Sequence, residues 1–199
     1  ADAYRNTYFK QTNSSEDDWS DIIALTDALN NLPDEGYLEN ISKYVNVDQW
    51  LTHLAVDSLL GNREGGLNDG KGDDYVLYRG IEDQRFRFVP HDLDTLLRGN
   101  PTKDIWGYTD LDGLEMFLNH PDIVPLYYTK FLDLIGRIYR PEIIQPVIAR
   151  AVGGFVSENA LEGLQEFVPD RIANVLSQIP RSYSATSNLS STQEGYLRT

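Results

Sequence analysis

The sequence predicts a mainly α-helical α+β fold in which a small inserted β-hairpin interrupts a run of helices. Three observations lead there. Apolar residues recur at helical spacing along most of the chain, beginning with Trp19, Ile22, Ile23, Thr26 and Leu29. Two β-type runs, Tyr75–Arg79 and Arg85–Val89, stand together near the middle, and the second alternates Phe86 and Phe88 with Arg85 and Arg87. The hydrophobic fraction, 41% of 199 residues, is enough for a packed core.

The elements follow in order. Residues 1–18 are polar with an acidic end, Ser14 to Asp18, and Tyr4, Tyr8 and Phe9 suggest a short strand. Asp17 or Asp18 caps the first clear helix, and Asn30-Asn31-Leu32-Pro33 ends it. A shorter helix is expected over 37–44. The strongest helix starts at Asn46 or Asp48, carries Val47, Trp50, Leu51, Leu54, Ala55, Ser58 and Leu59 on a broad apolar face, and stops at Gly61-Asn62. A loop, residues 63–74, holds four glycines and four acids. The hairpin turns at residues 80–84, and Pro90 closes its second strand. An irregular stretch covers 98–110. Helices are then expected over 113–119, 122–139, 141–152, 157–168 and 170–179, with Pro180 ending the last. The chain thus divides into an N-terminal segment 1–18, a main domain 19–180 and a Ser/Thr-rich tail or linker 181–199.

Composition narrows the function. Seventeen basic against 31 acidic residues give a net charge of −14. Phosphate binding needs a basic stripe, so nucleic acid is excluded as the main partner, and attraction to an anionic membrane is excluded with it. No apolar run approaches the ~20 residues that cross a bilayer, so no membrane insertion is expected. The absence of cysteine excludes disulfides, thiolate nucleophiles and Cys-based zinc sites. Met116 is the only methionine, so the chain reads as a fragment or processed product.

Chemistry is expected at two places. One is the loop Asn62 to Asp74; the other is Asp92-Leu93-Asp94, directly after the second strand. A hairpin brings its own ends together, so Asp73 and Asp74 should lie near Asp92 and Asp94. Clustered carboxylates repel one another unless a cation or proton intervenes, and their hard oxygens suit Mg²⁺, Mn²⁺ or Ca²⁺. Within the loop, Asn68, Asp69 and Asp73 alternate with Gly70 and Gly72 in partial likeness to a calcium loop, but the twelfth position from Asn68 is Arg79, not the Glu an EF-hand uses. Acidic glycine loops are also ordinary turn chemistry, and 31 acids will cluster in places by chance. Among single residues, His53 reads as a packing or surface histidine, His91 as packing behind the acidic turn rather than orienting the Asp92 carboxylate, and His120-Pro121 as a helix boundary. Trp19, Trp50, Tyr127 and Tyr128 read as core. Neither a GxGxxG motif nor a P-loop is present.

Residues 47–62 (VDQWLTHLAVDSLLGN), the acidic residue that follows, Tyr75-Val-Leu-Tyr78 and Phe88-Val-Pro-His-Asp-Leu-Asp94 resemble the CotH kinase-like family, named for spore coat protein H. The resemblance covers about residues 8–180 and is strongest over 47–97. It implies an atypical protein-kinase-like C-lobe, and phosphorylation of Ser/Thr in a protein substrate with ATP and Mg²⁺ or Mn²⁺. On this mapping Glu64 falls at the catalytic-loop Asp of the family and Asp92 at its metal-binding Asp, supported by Asp94. Asp74 falls where many members carry Asn before the Tyr, and Asp73 is its neighbour. Lys71 and Arg63 are the local cations for phosphate. Residues 1–18 supply at most the last strand of an N-lobe, so a further N-lobe segment is expected. A secreted, cell-surface or coat location also follows from the resemblance. Glu64 in place of Asp leaves open a second reading, a non-catalytic kinase-like scaffold stiffened by Ca²⁺. A third is an acidic helical interaction domain whose likeness is of fold alone.

Overall fold

The computed structural model describes residues 2–62, 74–107 and 111–183. Its elements are α1 (Asp2–Thr7), α2 (Ser20–Asn31), α3 (Tyr37–Ile41), α4 (Val47–Leu60), β1 (Tyr75–Arg79), β2 (Phe86–Pro90), α5 (Asp112–Asn119), α6 (Val124–Arg137), α7 (Pro141–Val152) and α8 (Glu158–Gln178). The α+β, mainly helical class is as the sequence predicts. Among the described residues no helix is long and apolar enough to cross a membrane.

Helix α4 organises the rest. Trp50, Leu51, Leu54, Ala55 and Leu59 are at most 2% exposed, and the helix packs against α6, α8 and β2. Of the two starts the sequence offers, Asn46 and Asp48, the structure uses Asn46, whose side chain accepts the Gln49 backbone N–H. The hairpin lies on its first turns. β1 and β2 are antiparallel, from Tyr75 opposite Pro90 to Arg79 opposite Phe86. The other edge of β2 would be a row of unpaired groups. Here it is closed by the Phe86 N–H donating to Tyr44 O (2.7 Å) and by the Asn46 N–H and Trp50 Nε1–H donating to Phe86 O (3.1 and 2.8 Å). The Gln49 amide acts as one more strand residue: its Nε2 donates to Phe88 O (2.7 Å) and its Oε1 accepts the Phe88 N–H (3.0 Å). Phe86 and Phe88, the inward positions of the predicted alternation, are buried, and Phe88 packs on Trp50 at 4.3 Å between ring centres.

The far end of α4 is fastened equally fully. Geometry leaves the last four carbonyls of a helix without partners inside it. The Asp57 carbonyl accepts the Asn62 N–H (3.1 Å), the Ser58 carbonyl accepts Arg171 Nε–H (3.0 Å), the Leu59 carbonyl accepts the Tyr139 hydroxyl (2.7 Å) and the Leu60 carbonyl accepts the Leu97 N–H (2.7 Å). Arg171 is itself buried in α8 and also donates to Ser58 Oγ, Pro101 O, Lys103 O and Asn174 Oδ1.

Several expectations change. Helix α2 has Trp19 at its N-cap position with no side-chain cap bond, not Asp17 or Asp18, although Asp18 Oδ1 accepts the Ser20 N–H (2.9 Å), and the helix expected over 37–44 ends at Ile41. Residues 2–7 are helical, not extended. Tyr4 and Tyr8 stack four residues apart and Arg5 pairs with Asp2 three residues back, contacts a strand does not offer, while Arg5 also reaches Asp17. Trp19 is half-buried rather than core: its indole donates to Asp17 and Lys10 lies over its ring. The helix expected over 122–139 is trimmed to Val124–Arg137, because Tyr139 leaves the helical path to bury its ring and cap Leu59. The two helices expected over 157–168 and 170–179 are one, α8, running through Pro169. Proline at 169 removes the N–H that would meet Gln165 O; Gln145 Nε2 of α7 donates to that carbonyl instead (3.1 Å), and Gln165 Nε2 returns a bond to Gln145 O (3.2 Å). In the segment read as a tail, Tyr183 still docks, its hydroxyl 3.1 Å from Thr129 Oγ1 and its ring edge-on to Tyr128; residues 184–199 lie outside the described residues.

Gly61 closes α4 with φ +60, and a Cβ there would stand 2.6 Å from the Phe167 ring. Left-handed backbone costs a residue with a side chain about 1–2 kcal/mol before any clash. Gly61→Ala is therefore expected to lower stability by at least that amount, read as an earlier urea midpoint; an unchanged midpoint contradicts the fit.

Candidate functional site

The site is built where the hairpin returns to the C-terminal end of α4. The strand ladder continues one bond past the ends of the strands, the His91 N–H donating to Asp74 O (3.0 Å), so register places Asp74 opposite His91, one residue before Asp92. His91, Asp92, Leu93 and Asp94 are exposed, so His91 does not pack behind the turn as expected. Asp92 has φ +46, a left-handed conformation that Asp tolerates better than most residues. Leu97 has φ +59, a true outlier for a bulky side chain. Such strain persists only when surrounding bonds over-determine it. Here the Leu97 N–H is held on Leu60 O, and Thr95 Oγ1 donates to Asn62 Oδ1 at 3.0 Å.

Asn62 is 1% exposed and its Nδ2 donates to Asp57 Oδ1 at 2.8 Å. Asp57 is 5% exposed, on the buried side of α4, and its Oδ2 is enclosed without a hydrogen-bond partner. Burial pushes the Asp57 carboxyl from its ordinary 3.8 up to about 6, and the Asn62 amide offsets part of that. Beside it a groove of about 390 Å³ runs between α4 and the acidic turn, lined by Gln49, His53, Val56, Asp57, Leu93 and Leu96. His53 stacks on Phe88 at 5.0 Å, and burial lowers its pKa to about 4, so it is neutral at physiological pH. Lys130 of α6 pairs with Asp48 at the rim.

The structure thus brings Asp74 beside the turn that carries Asp92 and Asp94. Among the described residues neither Asp92 nor Asp94 takes part in a hydrogen bond or ion pair, and no three or more His, Asp or Glu side chains gather to hold a metal ion. Asp74, Asp92 and Asp94 are therefore not a closed ligand set by themselves. Glu64, Arg63, Lys71, Asn68 and Asp73 lie outside the described residues. Thr95 has no role in the sequence reading; Asp57 and Asn62 enter it within the motif over 47–62, Asn62 also as a helix stop and the first residue of the acidic loop, with no site role given to either. A signal for Asp57 exists all the same: it is a carboxylate among the apolar residues Leu54, Ala55 and Leu59 of the best-marked helix.

The family model described as "CotH kinase protein" matches residues 1–154. No curated protein matches the chain.

The raised Asp57 pKa makes a pH prediction. Between about pH 4 and 6 the folded protein keeps a proton that the unfolded chain has released, so this group's contribution to stability falls as pH rises through that window and stays low above it. Asp57→Asn, of nearly the same shape, removes the fall. Urea unfolding at pH 4 and pH 7 is expected to show the variant gaining on wild type by about 2–3 kcal/mol between the two. A parallel pH dependence in both proteins contradicts the assignment.

Proposed function

Because the chain belongs to the CotH kinase family, we propose that it performs metal-dependent phosphoryl transfer from ATP to Ser or Thr of a protein. The observation that carries this reading is the acidic turn. Asp92 and Asp94 are two hard-oxygen carboxylates without protein partners among the described residues, held on a left-handed turn that is bonded at two points to the end of α4. That chemistry suits Mg²⁺ or Mn²⁺. Such an ion, when bound, supplies neutralising charge to the phosphates.

The chain's own residues take the following roles in this reading. Asp92 is the principal metal ligand and Asp94 supports it, with Asp74 adjacent through the strand register. Glu64 orients the incoming hydroxyl and accepts its proton. Lys71 and Arg63 bind phosphate. Phosphoryl transfer asks mainly for positioning and charge stabilisation, and the bonds between the turn and α4 are positioning devices. A secreted, cell-surface or coat location belongs to this reading, and membership of the CotH family supports the coat. Glu64 standing at the position of the family's Asp favours one alternative, a non-catalytic coat or surface module in which the carboxylates hold Ca²⁺.

The test is transfer of the ATP γ-phosphate to a Ser/Thr protein substrate in the presence of Mg²⁺ or Mn²⁺. Asp92→Asn is expected to lower the rate by about 10²–10³-fold, the usual cost of removing a group that stabilises transition-state charge, without lowering the melting temperature. Transfer that survives the substitution overturns the role given to Asp92, and a wild-type chain that transfers no phosphate overturns the kinase reading. Absence of nucleotide binding by calorimetry, with a melting temperature raised by Ca²⁺, establishes the scaffold reading instead.

A further inference from the structure

Three side chains far apart in sequence form a single hydrogen-bonded relay: Thr95 Oγ1 to Asn62 Oδ1 at 3.0 Å, and Asn62 Nδ2 to Asp57 Oδ1 at 2.8 Å. We propose that Asn62 is a positioning residue, the joint of a Thr95–Asn62–Asp57 relay that sets the Asp92–Thr95 turn against α4 and thereby tunes its affinity for a divalent cation. The inference deepens the kinase reading and rests on it for its catalytic part.

The chemistry of the three groups fixes the direction of the relay. An ionised carboxylate only accepts, so the NH₂ of Asn62 must face Asp57. The amide oxygen then faces Thr95, which makes the Thr95 hydroxyl the donor. Neither amide orientation nor hydroxyl rotor is left free. The relay is also indifferent to the charge on Asp57. Oδ1 is the oxygen that accepts from Asn62, whereas Oδ2 is enclosed and unpartnered, so a proton taken up near pH 6 resides on Oδ2 and leaves the bond to Asn62 in place.

Retaining a buried carboxylate there has a physical use. Desolvation makes the charged form unfavourable, and the Asn62 amide is the group that meets it. That bond locks the Asn62 rotamer, and a locked Asn62 presents its oxygen at one place only. The turn is then held through Thr95, next in sequence to Asp94, and through Leu97 N–H on Leu60 O. Two bonds of different kinds, one side chain and one backbone, thus fix a segment whose φ angles at Asp92 and Leu97 are both left-handed. Without the relay the turn loses the side-chain bond that joins it to Asn62 while the Leu97 backbone bond stays, and its carboxylates lose their fixed placement.

Thr95→Val removes the hydroxyl while keeping the branched shape, and Thr95→Ser restores it. In hydrogen exchange on the whole chain, Thr95→Val is expected to speed exchange of the amides of 93–97 by about 5-fold, the effect of losing one ordinary hydrogen bond, with the amides of 75–90 unchanged. Mn²⁺ alone, followed by electron paramagnetic resonance, is expected to bind about 10-fold more weakly, as for other losses of a supporting group behind a metal ligand. In phosphoryl transfer kcat is expected to fall by about 10²-fold with KM for ATP unchanged. Thr95→Ser returns all three toward wild type, and Asn62→Ala reproduces the Thr95→Val pattern. Unchanged exchange in 93–97 overturns the inference. So does faster exchange with wild-type Mn²⁺ affinity, which would make the relay a purely structural link. A wild-type chain that binds Mn²⁺ in the turn but transfers no phosphate removes the kinase reading and leaves the relay to be decided by the exchange and Mn²⁺ measurements. A wild-type chain that binds no Mn²⁺ overturns both.

Discussion

The C-terminal end of α4 is the constraint on which the rest depends. A helix cannot satisfy its own last carbonyls, and burying them without partners costs more than the bonds themselves return. In this protein the partners come from four directions: the backbone of Asn62, Arg171 of α8, the Tyr139 hydroxyl beyond α6, and the Leu97 N–H beyond the acidic turn. Meeting the hydrogen-bonding needs of one helix end therefore assembles the helical core and places the turn in the same step. The opposite end of α4 does the same for the hairpin, through Asn46, Gln49 and Trp50 on the open edge of β2. Both ends of the segment from β2 to Leu97 are thus held by one helix.

That arrangement explains where strain and polarity sit. Left-handed φ values at Asp92 and Leu97 lie between two anchors rather than in a loose loop, the condition under which strain survives in a folded protein. The carboxylate of Asp57 and the imidazole of His53 lie beside the same apolar groove, and burial shifts each toward its neutral form. Asp92 and Asp94, exposed and without partners among the described residues, lie on the turn whose Leu93 and Leu96 also line that groove.

Much of this framework is legible in the sequence because it rests on local signals. Asn46 as a cap, Gly61 as a stop, and the alternation of Phe86 and Phe88 each follow from near-neighbour chemistry, and each matches the structure. The proximity of Asp74 to the acidic turn is legible as well, since hairpin register follows from strand and turn lengths. What escapes the sequence is long-range. Pro169 reads as a break because its lost N–H is visible and the compensating Gln145, on another helix, is not. Tyr139 reads as helical because nothing nearby in sequence shows its hydroxyl reaching Leu59. Asp57, Asn62 and Thr95 span 38 positions, and their roles exist only once folding has brought them together. At the N-terminus the difference has another origin: aromatic residues suggest a strand, whereas the segment is helical, with Arg5 paired to Asp2 three residues back and to Asp17 farther along.

The most direct test of the account is a crystal structure of the chain grown with Mn²⁺ and a non-hydrolysable ATP analogue, with the ion located by its anomalous scattering. The account predicts the peak at the acidic turn, ligated by Asp92, with the Thr95–Asn62 bond intact beneath it. A manganese ion bound elsewhere, with Asp92 free in solvent while the nucleotide is in place, would contradict it.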